Sequence, residues 1–262
     1  MLYMPLHDEI SPKIIGAPAW SGTDLSKNPH SAEDKAERVE AMFTSIARSY
    51  DLNNRVHSMW QDQAWRARAV KMATVSSGDD VVDVACGTGD LSMAFYKANV
   101  CSVIGIDFTQ AMLDVAVTKA EASAMKIDYR QGDAMDLDLP DNSADVVSIA
   151  FGIRNVQDPS KAFSEFYRVL RPAGRLIVLE FSTPKNWLVR VCNNLYTNRI
   201  MPITATFISR DKSGAYKYLP KSIATFADAT TLGEEIQRSG FVGMHQVPQT
   251  FGVCTITVAT KN

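Results

Sequence analysis

The sequence has little net charge, few cysteines and no long apolar run. Its formal charge is −2 and its pI lies near 6.1. No global field attracts a polyanion, so nucleic acid is not an expected partner, because nonspecific binding to it calls for a strongly basic domain or stripe. The four cysteines, Cys86, Cys101, Cys192 and Cys254, stand far apart with no C-x-x-C pair. That excludes a zinc knuckle or a redox dithiol and predicts no metal site. No stretch reaches the roughly 18 consecutive apolar residues of a spanning helix. The first 30 residues lack a basic start followed by an apolar run and are poor in arginine, so neither a secretory nor a mitochondrial leader is expected. The expectation is a cytoplasmic protein, with peripheral contact at the inner face of a membrane as the most it would make.

What is present fits one large domain. The chain has 262 residues, 46% of them hydrophobic and 21% charged, enough to bury a substantial core. Pro5, Pro12, Pro18 and Pro29 punctuate residues 1–30 among Ser, Gly and Asn without helical or strand period, so this stretch is expected to be a mobile tail. A single domain is expected over 31–262, with N-terminal helices over 31–75 and a substrate-side insertion over 184–226. Val39, Met42, Phe43, Ile46, Ala47 and Tyr50 recur at three- and four-residue steps, one face of a helix, and Trp60, Ala64, Ala67 and Met72 mark a second. After Ser76-Ser77-Gly78, β-branched runs at 81–84, 102–106, 127–130, 146–151 and 176–179 alternate with helical stretches at 91–98, 110–124 and 161–170. This is the pattern of βαβ units. Arg171-Pro172-Ala173-Gly174 reads as a turn. Runs at 241–247 and 252–259 are joined by four residues, too few for a crossover helix, so they pair antiparallel. The expected fold is α/β and Rossmann-like: a mostly parallel seven-stranded sheet with an antiparallel last strand and helices on both faces.

Residues 81–90 read Val-Val-Asp-Val-Ala-Cys-Gly-Thr-Gly-Asp, a buried strand running into a glycine turn that opens a helix. Gly87 and Gly89 let the backbone reach positive φ and approach a ligand with no Cβ between. Alone the turn is weak evidence, since any tight βα turn takes two glycines. Asp107 strengthens it by ending the second strand, 20 residues past Gly87. A carboxylate there accepts from both ribose hydroxyls, each bond contributing about 1.5–3 kcal/mol. Adenosine is the implied ligand, and a 2′-phosphate is disfavoured by charge. After the third strand, Asp133 can accept from an adenine amino group and the Ala134 amide can donate to a ring nitrogen; alone these two would read as a surface turn. Ser92 stands where the dinucleotide fingerprint wants a small residue, so that test does not separate NAD from S-adenosylmethionine. Asp90 beside the turn disfavours a pyrophosphate, and Asp83 suits a positively charged ligand. The balance favours S-adenosylmethionine, with an NAD-dependent oxidoreductase as the alternative.

Cys86-Gly87-Thr88-Gly89-Asp90-Leu91, and more specifically Phe151-Gly152-Ile153-Arg154-Asn155-Val156 followed by Asp158 and residues 166–176, resemble the ubiquinone/menaquinone biosynthesis C-methyltransferases. Residues 46–54 and 216–226 agree as well, so the resemblance covers about 39–260. It implies a class I methyltransferase of the demethylmenaquinone methyltransferase type, whose last strand is reversed. It adds Thr88 to Gly87, Gly89, Asp107, Asp133 and Ala134 as cofactor-binding positions. Ala150 stands where some members carry a serine that contacts the cofactor, so that side-chain contact is lost here. Ala85 stands where many methyltransferases have glycine. The implied substrate is a prenylated quinol, 2-demethylmenaquinol in menaquinone biosynthesis and also the ubiquinone precursor 2-methoxy-6-polyprenyl-1,4-benzoquinol. A methyltransferase acting on another small molecule, or a noncatalytic binding protein, are the rivals.

Methyl transfer to a ring carbon needs an electron-rich carbon held in line with the methyl group, hence a reduced ring. It also needs a base and a cation near the developing phenolate. Arg154 follows the fourth strand's carboxyl end, where ligands bind in open α/β sheets, and is the candidate cation; its other reading is an ion pair holding the loop. Asn155 is placed to orient the ring oxygen, and the resemblance adds Tyr50. His57 is a weaker candidate base, and His245, on a late strand, weaker still. Between 186 and 203, Trp187, Leu188, Val191, Leu195, Tyr196 and Ile200 form an apolar stripe expected to face the core. A second reading makes it a lid over an isoprenoid tail that also touches the membrane surface. A homodimer is left open.

Overall fold

A computed structural model describes residues 18–211 and 213–262. Two helices lead, α1 (Lys35–Ser58) and α2 (Gln61–Met72), and a βαβ series follows. It comprises β1 (Asp80–Val84), α3 (Asp90–Lys97), β2 (Ser102–Asp107), α4 (Gln110–Ala122), β3 (Asp128–Gln131), β4 (Ala144–Ala150), α5 (Pro159–Val169) and β5 (Leu170–Phe181). Then come α6 (Trp187–Leu195), a π-helical turn (Tyr196–Ile200), α7 (Met201–Ser209), α8 (Ala215–Thr225), α9 (Ala229–Arg238), β6 (Val242–Gln249) and β7 (Cys254–Thr260). The sheet order is β3-β2-β1-β4-β5-β7-β6. β1 to β5 run parallel, and β7 enters antiparallel between β5 and β6.

The central strands are apolar on both faces because helices cover both. Neighbouring residues of β1 go to opposite sides: Val82 joins Phe163, Phe166 and Ile236 in one core layer, and Val81 joins Phe95, Trp65 and Ile256 in the other. Asp158 caps α5 by accepting from the Ser160 and Lys161 amides, with Pro159 at the first helical position. The expected turn at 171–174 lies inside β5. There the register jumps from Ala144↔Leu170 to Val146↔Arg175, so these four residues bulge out of the ladder.

A third core cluster lies among α1, α4, α7 and α8, with Met42, Ile46, Met112, Met201, Tyr216 and Tyr218 in it. Trp20 belongs to the same cluster, which corrects the expectation of a mobile tail for the part of 1–30 that is described; residues 1–17 lie outside the described residues. Trp20 is 2% exposed, stacks on Tyr218 at 4.6 Å, and donates its amide to the Ser213 carbonyl at 3.0 Å. Gly214 meets the Trp20 carbonyl at φ +87, so a side chain there would clash. A proline-rich stretch without helical or strand period can still pack. The chain reverses between β1, which leads outward to β2 and β3, and β4, which starts the other half. The crevice beyond these strand ends is where an open α/β sheet holds a ligand.

Candidate active site

The turn after β1 is tightly folded. Ala85 takes φ +49 and Gly87 φ +55, and the Cys86 amide donates to the Ile106 carbonyl at 3.0 Å. The loop after β4 lies alongside, with Phe151 at φ +57. A Cβ on Gly152 would stand 2.5 Å from the Ala85 Cβ, so the alanine that replaces a more open glycine is accommodated by a glycine across the crevice.

These turns and the ends of β2 and β3 enclose a cleft of about 100 Å³ lined by Ala85, Gly87, Asp107, Asp133, Ala134 and Ala150, roofed by Val39 and Phe43 of α1. Asp107 is 9% exposed. Its Oδ2 accepts from the Gly87 amide at 2.7 Å and its Oδ1 from the Thr109 amide at 2.8 Å. Each oxygen keeps a second lone pair for a ligand hydroxyl. Burial pushes this carboxyl up to about 6 against those two amide bonds. Asp133 accepts from the Met135 amide at 2.9 Å, which holds the turn that carries Ala134. A buried diol acceptor, an acid and amide at the next strand end, and a Cβ-free approach at Gly87 fit an adenosine-bearing ligand.

Three expected cofactor positions do not line the cleft. Asp83 is 1% exposed beneath the turn, its oxygens taken by Ser92 Oγ at 2.6 Å and Ser148 Oγ at 2.8 Å. Burial raises it to about 6 in spite of those bonds. One residue before the end of β1, it is turned towards α3 and β4 and away from the cleft. Thr88 donates to Asp51 Oδ1 at 2.5 Å, on the side of α1. Gly89, φ +80, is required because the Tyr129 hydroxyl occupies the place of a Cβ. Ala150 lines the cleft through its backbone and methyl group.

The expected repulsion by Asp90 is also corrected. Its carboxylate pairs with Arg55 at 2.9 Å and Lys119 at 2.7 Å and accepts from Gln63. Burial opposes its charge, but the fields of Arg66, Lys119 and Arg55 outweigh that and hold it at about 2. A compensated charge repels little, so Asp90 does not discriminate against a pyrophosphate.

Beyond Phe43, Tyr50 and Phe151, which line both spaces, opens a larger cavity of about 370 Å³. Tyr50 therefore stands at the junction, its hydroxyl kept protonated by burial. Arg154 lines the larger cavity at 5% exposure. It pairs with Glu180 at 2.7 Å, donates to the Phe151 carbonyl at 2.6 Å and lies 5.2 Å from the Phe181 ring centre. The ion pair that braces the loop is present, and the same guanidinium lines the cavity. Asn155 lines the cleft side, and its Oδ1 accepts from Tyr218 at 3.0 Å. His57 lines the far part of the cavity, its Nδ1 3.0 Å from the Tyr196 hydroxyl, which itself donates to the His57 carbonyl. Burial lowers its pKa. His245 is exposed on the edge strand and belongs to neither space.

Sequence reasoning missed Arg66, Tyr218 and Glu180. Arg66, 7% exposed, pairs with Asp62 and lies 5.3 Å from the Phe151 ring centre, a second cation over the shared wall. Glu180, at the carboxyl end of β5, was the recognisable one: an acid ending an apolar strand beside the Arg154 loop. Among the described residues no cluster of three metal-ligating side chains occurs, and no helix is long and apolar enough to cross a membrane.

This strand order, the glycine turn after β1 and the buried acid ending β2 define a class I S-adenosylmethionine-dependent methyltransferase. A methyltransferase from Thermotoga maritima, described as a possible histamine N-methyltransferase, superposes with a TM-score of 0.61 at 18% identity, covering 85% of this chain and 99% of that one. At that identity the likeness carries the fold. The model of the ubiE/COQ5 methyltransferase family matches residues 31–261, and the chain belongs to that family. A demethylmenaquinone methyltransferase of Deinococcus radiodurans is 39% identical over 230 residues, 87% of this chain and 95% of the relative. A ubiquinone/menaquinone biosynthesis C-methyltransferase, UbiE, of Geobacter sulfurreducens is 38% identical over 232 residues, 87% and 90%. Family membership removes the NAD-dependent oxidoreductase.

Proposed function

We propose that the protein methylates a ring carbon of a prenylated quinol, with 2-demethylmenaquinol as first candidate and 2-methoxy-6-polyprenyl-1,4-benzoquinol as second. The observation that carries this reading is the larger cavity: it shares Phe43, Tyr50 and Phe151 with the cofactor cleft, presents polar groups at that junction, and continues past Met42, Ile46 and Ile223. A flat ring with two oxygens and an apolar tail matches that sequence of surfaces. The names of the two relatives point the same way.

When bound, S-adenosylmethionine supplies a methyl group on a sulfonium. Asp107, Asp133 and the Ala134 amide would hold its adenosine, and Gly87 lets the backbone close on it. Ala150 contributes wall. The side chains of Asp83, Thr88 and Gly89's neighbour Tyr129 support the turn from behind. On the substrate side, Tyr50 and Asn155 are assigned to the ring oxygens as hydrogen-bonding groups, and Arg154 stabilises the phenolate oxygen as negative charge grows on it. Glu180 keeps that guanidinium in place. The aromatic walls exclude water, which strengthens each of these bonds.

The test is mass spectrometry after incubating the protein with methyl-labelled S-adenosylmethionine and each reduced quinol, with the oxidised quinones as controls. Label in one or both reduced rings, and in neither oxidised one, is the expected result. Cofactor binding with no labelled quinol would sink the assignment and leave the family standing.

A further inference from the structure

Residues 182–210 contain no aspartate or glutamate and four cations, Lys185, Arg190, Arg199 and Arg210. Of the helices in this stretch, α6 is amphipathic in the inverse sense, and α7 is apolar on both faces, burying Met201 and Ala205 while exposing Ile203 and Phe207. Asn193, Tyr196 and Thr197 line the larger cavity. Trp187, Leu188, Val191 and Leu195 on α6, with Ile203 and Phe207 on α7, face outward; Trp187 is 67% and Phe207 85% exposed. This corrects the expectation that the stripe faces the core. The helical ladder is π-type over Tyr196–Ile200, just ahead of Pro202 at the start of α7, which has no N–H to donate to the preceding turn.

A surface helix ordinarily turns its apolar stripe to the core. An outward apolar set of this density marks an interaction surface. Charge selects the occupant. An apolar face carrying tryptophan, interspersed with cations and free of acids, suits an anionic bilayer, where apolar side chains enter the acyl boundary and arginines lie among the headgroups. A two-fold pairing of two copies would set the same patch, and its cations, against itself. We infer that the outer face of α6 and α7 docks on an anionic phospholipid bilayer. The inner face of α6 and of the π-helical turn is cavity wall, so docking brings that wall against the lipid and a tailed substrate reaches it without crossing water. The docking does not rest on the quinol reading; only this last consequence does.

Co-sedimentation of the full chain with phosphatidylcholine vesicles, with and without phosphatidylglycerol, tests it. Binding is expected to the anionic vesicles and to weaken with salt. Arg190→Ala and Arg199→Ala should each weaken it about fivefold, the equivalent of roughly 1 kcal/mol per surface cation. Trp187→Glu combined with Phe207→Glu should weaken it at least tenfold, while calorimetry shows unchanged S-adenosylmethionine binding and hence an intact fold. No binding of the native chain to anionic vesicles, or equal binding of native and variants, overturns the inference. So does a native dimer in sedimentation that the glutamate variant dissociates. Whether either quinol is methylated affects none of these readouts.

Discussion

The two adjoining cavities are built by different means. The cofactor cleft takes its floor from the carboxyl ends of neighbouring parallel strands, where sheet register places each residue. The larger cavity takes its walls from α1, α2, the π-helical turn and α8, drawn from residues 42 to 253. Helices over a sheet end are positioned by side-chain packing and by single polar contacts between distant residues, not by ladder register. The difference teaches that the first site depends on a few local backbone shapes, and the second on distant contacts such as Tyr218 to Asn155 and Arg154 to Glu180.

The largest expected effect is on the substrate side alone. Arg154→Ala should lower turnover about 10²- to 10³-fold, the range for losing a transition-state donor, with cofactor affinity unchanged in calorimetry. It also leaves Glu180 buried without its partner, so a stability loss of about 3–5 kcal/mol is expected, partly restored by adding Glu180→Gln. A matching fall in cofactor affinity would show that the two spaces are not separable.

Asp107→Asn is the complementary break, with cofactor affinity lower by about 10- to 100-fold, the equivalent of one or two charge-assisted bonds. The native chain should bind fully above pH 6 and lose affinity as pH falls through about 6, because only the ionised carboxylate accepts from both hydroxyls. In the variant this pH dependence should be flat. Without ligand the sign reverses: a carboxyl raised by folding favours the folded state most below its ordinary pKa, and that contribution is lost as pH rises through about 6.

Gly152→Ala sharpens the claim that the cleft depends on local backbone. Its methyl group meets the Ala85 Cβ, which should cost about 1–3 kcal/mol in thermal unfolding. Ala85→Gly in the same chain should recover much of that, and simple additivity of the two changes would refute the contact. Tyr218→Phe is the smallest: it removes one bond to Asn155, about 1 kcal/mol, and should lower turnover less than tenfold with cofactor affinity unchanged.

What could be read in the sequence follows the same division. The strands, the terminal hairpin and the meeting of Gly87, Asp107 and Asp133 at one cleft were legible because strand period and turn chemistry are local. Asp83 and Thr88 were misplaced because a motif gives their position in the chain but not which side of the turn they face. Their partners Ser148 and Asp51 lie far away in sequence. Arg66 carried no signal, and Tyr218 stood in a matching stretch without a role, since a tyrosine or arginine at helical spacing looks the same whether it faces solvent or a cavity. The stripe from Trp187 to Ile200 had the expected spacing, but most of it faces outward, an orientation that spacing cannot specify.

The stacking of Trp20 on Tyr218 bears on where the chain can be shortened. The family match begins at residue 31, yet Trp20 supports α8 from outside that span, and the same Tyr218 reaches Asn155 with its hydroxyl. A truncation designed on the family boundary would therefore remove one side of an aromatic pair and loosen the tyrosine that holds Asn155. The smallest unit that keeps this pair intact must include Trp20.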